Sequence, residues 1–226
     1  LSLIRAGADG RRRFLDFMGS QLFPAYRPAL RAYDRALRSR NFLLKRDKVP
    51  RWDQIDAYTQ VLAEHGAVLT QHRAELIERL QPFAAEVQRE VSQRDENLEL
   101  AYVAAQGDRL VEALLEAREE ESRRRSTACG PHRDDFTMNL NGMPASQFAS
   151  EGQQRTVALA LKLGQARLFR ERTERSPILL LDDIFGELDP NRRNALMAAL
   201  PQGAQKLITT THLDWLRDQL APEVGY

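Results

Sequence analysis

Through the first half of the chain, apolar residues recur at the three- and four-residue spacing of amphipathic helices. Phe14, Phe17, Met18 and Leu22 form one such face and Leu30, Tyr33, Leu37 and Leu44 another, and Pro24 and Pro28 break the pattern between them. The pattern resumes over residues 53–94, where Ile55, Tyr58, Leu62, Leu69, Leu76, Ile77 and Leu80 predict long polar helices and Pro82 a kink or a boundary. After a break at residues 95–97, Leu98 to Val103 predicts a strand. Residues 108–125 predict another helix, in which Glu119, Glu120 and Glu121 each stand four residues before Arg123, Arg124 and Arg125, a spacing that suits ion pairs.

The second half mixes short apolar runs with turn residues. Phe136 to Leu140 predicts a strand closed into a hairpin by Asn141-Gly142. Ser150 and Gln153 form a capping box ahead of a helix over Thr156 to Phe169. Ile178-Leu179-Leu180-Leu181 predicts a strand buried on both faces, as the interior of a parallel sheet provides, and Leu207 to Thr211 predicts a second strand. Between them, Asp189-Pro190 is an N-cap and first-turn pair for a helix through Leu200. A helical block followed by an α/β block predicts two lobes, and the heptad-like stretch is too short for a long coiled coil.

Two features suggest chemistry. Asp182 and Asp183 stand at the carboxyl end of the aliphatic strand, where open α/β sheets bind ligands and where paired carboxylates can hold Mg²⁺ and orient a water against a phosphate. The same pair would also serve as ordinary turn residues. Gly152, in the first turn after Ser150, leaves backbone N–H groups approachable at the positive end of a helix, where a phosphate can bind.

The order Ser150-x-Gly152-Gln153, one helix, a strand ending in Asp182-Asp183, then Glu187-Leu188-Asp189 resembles the ATPase head of the ABC and SMC class. The stretches Gly130 to Phe136, Ser150 to Lys162 and Leu179 to Arg193, with Arg12-Arg13-Phe14-Leu15-Asp16 near the start, are similar to the RecF family of bacterial DNA replication and repair proteins. The resemblance implies an α/β fold: an ABC-type ATPase head with a partial parallel-sheet core in residues 98–226, beside a mainly helical second lobe in residues 1–97.

It further implies that Ser150, Gly152 and Gln153 bind the γ-phosphate of ATP held by a second subunit and that Asp182 supports Mg²⁺. Asp183, where most ABC proteins have glutamate, would orient the attacking water. Glu187 and Asp189 would belong to a loop crossing the dimer interface, and His212 would sense the γ-phosphate. The implied function is ATP-dependent binding of single-stranded and gapped DNA in recombinational repair, replication and the SOS response. The implied partners are a second copy of the chain, the RecO and RecR mediators and, through them, RecA, in the cytoplasm.

No G-x-x-x-x-G-K-[ST] loop is present, and the first residue is Leu1 rather than Met. The expectation is a C-terminal portion of a longer protein whose ATPase activity this chain alone does not show. With 33 Lys and Arg against 32 Asp and Glu, DNA binding must come from local patches. Arg11-Arg12-Arg13, then Arg38, Arg40, Lys45, Arg46, Lys48 and Arg51, then Arg123-Arg124-Arg125 supply candidates for phosphate contacts, with Arg40, Lys45, Arg46 and Lys48 singled out. The single Cys129 excludes an internal disulfide, fits a reducing compartment and is expected to act as a small buried hydrophobe.

Two alternatives are a module that binds DNA or a partner without chemistry, and a metal-dependent nuclease. The nuclease would assemble His132, Asp134 and Asp135 with Asp182 and Asp183 around a metal pair. Read locally, Gly130 to Asp135 is a turn into the following strand.

Overall fold

The computed structural model describes residues 1–5, 7–106, 109–186 and 188–211. Its first part is helical: α1 (Ser2–Arg5), α2 (Ala8–Leu22), α3 (Tyr26–Arg46) and α4 (Trp52–Ser92). The loop between α2 and α3 is short because Pro28, expected to break the pattern, instead lies in the first turn of α3. An N–H there has no intrahelical acceptor to lose, so proline is tolerated.

Pro82 likewise does not end its helix. α4 runs 41 residues, about 60 Å at 1.5 Å per residue, and stops where Gln93 turns left-handed at φ 54°. Leu76, Ile77 and Leu80 before the proline and Ala84, Val87 and Val91 after it are buried in one core, which holds the two halves of the helix together across the missing hydrogen bond.

Two hydrophobic clusters meet along α4. Its first half packs Leu62 and Leu69 with Tyr26 and Tyr33 of α3, Leu110 and Leu114 of α5 (Leu110–Glu116), and Cys129. The expected helix over residues 108–125 is divided at Ala117 into α5 and α6 (Arg118–Arg124). The second half of α4 shares the larger core with Phe14, Leu15 and Met18 of α2, with β1 (Leu98–Val103) and β2 (Asp135–Leu140), and with α8 (Glu151–Thr173). α8 lies so close that a Cβ on Gly164 would sit 3.0 Å from the Ala84 backbone nitrogen.

β1, β2 and β3 (Met143–Pro144) form an antiparallel sheet, with Leu98 opposite Leu140. Asn141 (φ 52°) and Gly142 (φ 77°) make the turn, both left-handed as a tight hairpin requires. α7 (Ala145–Phe148) leads into α8.

β4 (Leu179–Asp182), α9 (Pro190–Ala199) and β5 (Lys206–Thr209) follow. β4 and β5 pair in parallel, Leu179 opposite Lys206 and Asp182 opposite Thr209. The expectation that β4 is buried on both faces is not met among the described residues. Leu179 and Leu181 face the core, whereas Leu180 is 73% exposed. The structure therefore covers one side of this parallel pair.

Candidate nucleotide-binding site

α8 begins as the sequence predicts. The Gln153 backbone N–H donates to Ser150 Oγ (3.3 Å), and the Ser150 N–H donates to Gln153 Oε1 (2.9 Å). Gln153 is held a second time from behind, since its Nε2 donates to Glu96 Oε1 at 3.0 Å. The other oxygen of that buried carboxylate accepts from Gln88 Nε2 at 2.7 Å. Both ends of the Gln153 amide are thus oriented before any ligand arrives.

Gly152 lies under the guanidinium of Arg192 on α9. A Cβ at Gly152 would fall 2.7 Å from Arg192 Nη1, so a side chain there would have to push the arginine aside. Arg192 also pairs with Asp189, Nε to Oδ2 at 3.6 Å, and its backbone N–H donates to Asp189 Oδ1 at 3.1 Å. Asp189 is therefore the N-cap of α9, as expected. Through Arg192 the structure brings together Gly152 and Asp189.

Asp182 and Asp183 belong to a separate network built on β5. Thr209 Oγ1 donates to Asp182 Oδ1, which fixes the carboxylate at the end of the strand. The Asp183 N–H lies 3.1 Å from both the Thr209 carbonyl and its hydroxyl oxygen. Asp183 is left-handed at φ 46°, a conformation that Asp and Asn tolerate better than other residues with a Cβ. Both carboxylates are exposed. The loop after them is clamped by Arg193, whose Nε donates to the Phe185 carbonyl and Nη2 to that of Leu188, both at 3.1 Å. Glu187 and His212 lie outside the described residues.

Thr209, Glu96 and Arg192 were not singled out by sequence. Thr209 was visible only as a strand residue, and its role follows from standing opposite Asp182. Glu96 and Arg192 carry no local signal, because the residues they meet lie far away along the chain.

Of the four basic candidates for DNA, Arg40 is committed elsewhere. It is 1% exposed and bidentate to the equally buried Glu121, at 2.9 and 2.7 Å. Lys45, Arg46 and Lys48 are exposed. Arg125, left-handed at the end of α6, donates to the carbonyls of Leu44, Asp47 and Lys48 and so pins the chain that carries them.

The nuclease constellation does not form. His132 Nε2 faces the Thr127 carbonyl (3.2 Å), which can only accept, so Nε2 carries the proton and Nδ1 accepts from the Tyr33 hydroxyl (2.7 Å). Burial pushes the imidazole down to about 4. Asp134 accepts from the Tyr102 hydroxyl and the Ala105 N–H (2.8 Å), and Asp135 holds Arg11 with both oxygens (2.6 and 2.7 Å). Gly130, at φ 127°, is required because a Cβ would lie 2.4 Å from the Tyr33 hydroxyl. The motif ties the strand β2 to the helices. Among the described residues no group of three or more His, Cys, Asp and Glu is arranged to hold a metal ion.

No family model matches the chain. It is 41% identical to the DNA replication and repair protein RecF of Symbiobacterium thermophilum over 95% of its own length and 60% of that protein. It is 39% identical to RecF of Acaryochloris marina, covering 94% and 61%. A solved structure described as the recombination mediator protein RecF with ATP in the RecFOR pathway superposes with a TM-score of 0.85 at 32% identity, over 94% of this chain and 60% of that one. The α/β fold is accordingly the ABC-type ATPase head, here with a partial parallel-sheet core, beside a helical lobe. No described helix is long and apolar enough to cross a membrane. The chain belongs to the RecF family of DNA replication and repair proteins and spans about 60% of the length of the curated relatives it matches.

Proposed function

We propose that this chain supplies part of an ATP-dependent DNA-binding protein of recombinational repair, with its nucleotide site completed between two copies. The observation that carries the reading is the acid pair at the end of a parallel strand, with Asp182 held in place by Thr209. Among the described residues one oxygen of Asp182 is engaged and the other takes no hydrogen bond, which suits Mg²⁺, an ion that takes one or two carboxylates and otherwise waters and substrate phosphates. That ion would neutralise charge on the phosphates of ATP.

Asp183 is turned outward by its left-handed backbone and would orient the attacking water, one methylene shorter than a glutamate. Ser150, Gly152 and Gln153 would meet the γ-phosphate carried by a second copy, the helix N-terminus contributing N–H groups and partial positive charge. Glu187 and Asp189 would lie at the junction of the two copies, and His212 at the γ-phosphate. Residues 1–97 and 98–226 would act as two lobes. Exposed Lys45, Arg46 and Lys48 would contact single-stranded or gapped DNA, in cooperation with RecO and RecR and in support of RecA, within the cytoplasm.

Asp182→Asn and Asp183→Asn in the full-length protein test the chemistry. Asn preserves the left-handed tolerance of position 183, so a change there reports on the carboxylate and not on the backbone. Mg²⁺-dependent turnover should fall at least about a hundredfold in each variant, on the scale of single catalytic groups. Turnover retained in both would remove the acid pair from the mechanism. A module that binds DNA without chemistry is the second reading, favoured by the exposed basic residues, and predicts DNA binding indifferent to nucleotide.

A further inference from the structure

The face of α3 that points away from the core carries a row of cations. Arg27, Arg31, Arg35, Arg38, Phe42 and Lys45 follow one another at intervals of four, four, three, four and three residues, and all are exposed. At about 100° per residue they occupy an arc of about 80°, and at 1.5 Å per residue the row is about 27 Å long. The opposite side of the helix is the buried row Tyr26, Ala29, Tyr33, Ala36, Arg40 and Leu44.

A solvated helix face ordinarily interleaves both signs, because like charges four residues apart repel by roughly 0.2–0.5 kcal/mol per pair. Several other arginines among the helices are paired: Arg40 with Glu121, Arg46 with Asp47, Arg73 with Asp16, Arg118 with Asp56. Arg27, Arg31, Arg35 and Lys45 form no ion pair among the described residues. The acid at the edge of the row, Asp34, lines a cleft with Asp16, Arg73 and His132, and Arg38 is the cation of the row that acts on it. Phe42, 62% exposed, stands in line with the cations.

We propose that the outer face of α3 is a track for single-stranded DNA, its arginines and Lys45 engaging the phosphate backbone and Phe42 stacking on a base. The proposal rests on the DNA-binding reading above and gives it a surface beyond Lys45, Arg46 and Lys48. Arginine predominates in the row, and its planar fork matches phosphate oxygens better than an ammonium does. An aromatic in a basic line adds what single strands offer and duplexes hide, the face of a base. The even spacing along the outer face of α3 suits a regularly charged polymer better than a folded acidic protein.

The test is fluorescence anisotropy of labelled oligo-dT and of a duplex against the full-length protein with ATP over a salt series. Replacing Arg27, Arg31 and Arg35 by Gln should make the slope of log affinity against log salt shallower by about 2, each lost phosphate contact of a single strand contributing about 0.7. Phe42→Ala should weaken oligo-dT about fivefold to a hundredfold and leave the duplex unchanged. Circular dichroism should be unaltered, since all four side chains are exposed.

Wild-type affinity and slope in the triple variant would overturn the track while leaving DNA binding itself intact. The same triple variant losing a poly-glutamate peptide but not DNA would overturn it in favour of an acidic protein partner. A wild-type full-length protein that binds no DNA with ATP at low salt would overturn the broader reading together with this surface.

Discussion

Arg40 and Glu121 face each other inside the protein with almost no water around them. Removing one member of such a pair leaves an uncompensated buried charge, which costs about 3–5 kcal/mol. Arg40→Ala should therefore lower unfolding free energy in urea by about that amount, and Arg40→Lys should recover only part of it, because an ammonium cannot bridge both carboxylate oxygens. A change below about 1 kcal/mol for Arg40→Ala would show that the site admits water.

His132 gives a pH signature. Its folded value of about 4 lies below the 6.5 of the exposed ring, so between those values the unfolded chain binds a proton that the native chain refuses. Its contribution is fully present above about pH 6.5 and is lost as pH falls toward about 4, by about 3 kcal/mol across the window. Urea denaturation at several pH values should show this slope, and His132→Gln should flatten it. An identical slope in the variant would assign the acid sensitivity to other groups.

At this scale the sequence pointed to Ser150, Gly152, Gln153, Asp182, Asp183 and Asp189, because each belongs to a local pattern of capping, strand end or turn. It was silent on the residues that hold them. Gln153 reaches Glu96 across 57 positions and Asp182 meets Thr209 across 27, and no local pattern encodes such pairings. The Glu121 carboxylate, one of three adjacent acids in the sequence, is distinguished only by the buried arginine opposite it.

Among elements, the contact of α4 with α8 sets the distance between the long helix and the candidate site. The backbones approach where Gly164 meets Ala84, so Gly164→Leu should overpack this junction and destabilise the fold by about 1–3 kcal/mol. A stability equal to wild type in thermal unfolding would mean that the helices separate freely there. α8 was readable from its capping box, and the hairpin from Asn141-Gly142, since both rest on local backbone chemistry. α4 was not readable as one element, because a proline argues for interruption and only the shared core on both sides of it argues for continuity. The four aliphatics ending in β4 fit burial on two faces as well as on one, and Leu180 shows that the described structure covers one.

For the whole molecule, the candidate site has two unlike halves. The acid pair is oriented by β5, and the capped start of α8 is oriented by Glu96 and overlain by Arg192. Each is preorganised, and Asp182, Asp183 and Ser150 are exposed while Gly152 and Gln153 are half-buried, an arrangement suited to surfaces that act on a nucleotide between two copies. The most direct measurement is the mass in solution by light scattering of the full-length protein, with Asp183→Asn slowing hydrolysis. A dimer with ATP that is absent with ADP, and that Ser150→Arg prevents by charge and bulk at the helix start, is the predicted result. A monomer under every nucleotide condition, or an ATP-induced dimer undisturbed by Ser150→Arg, would contradict the account.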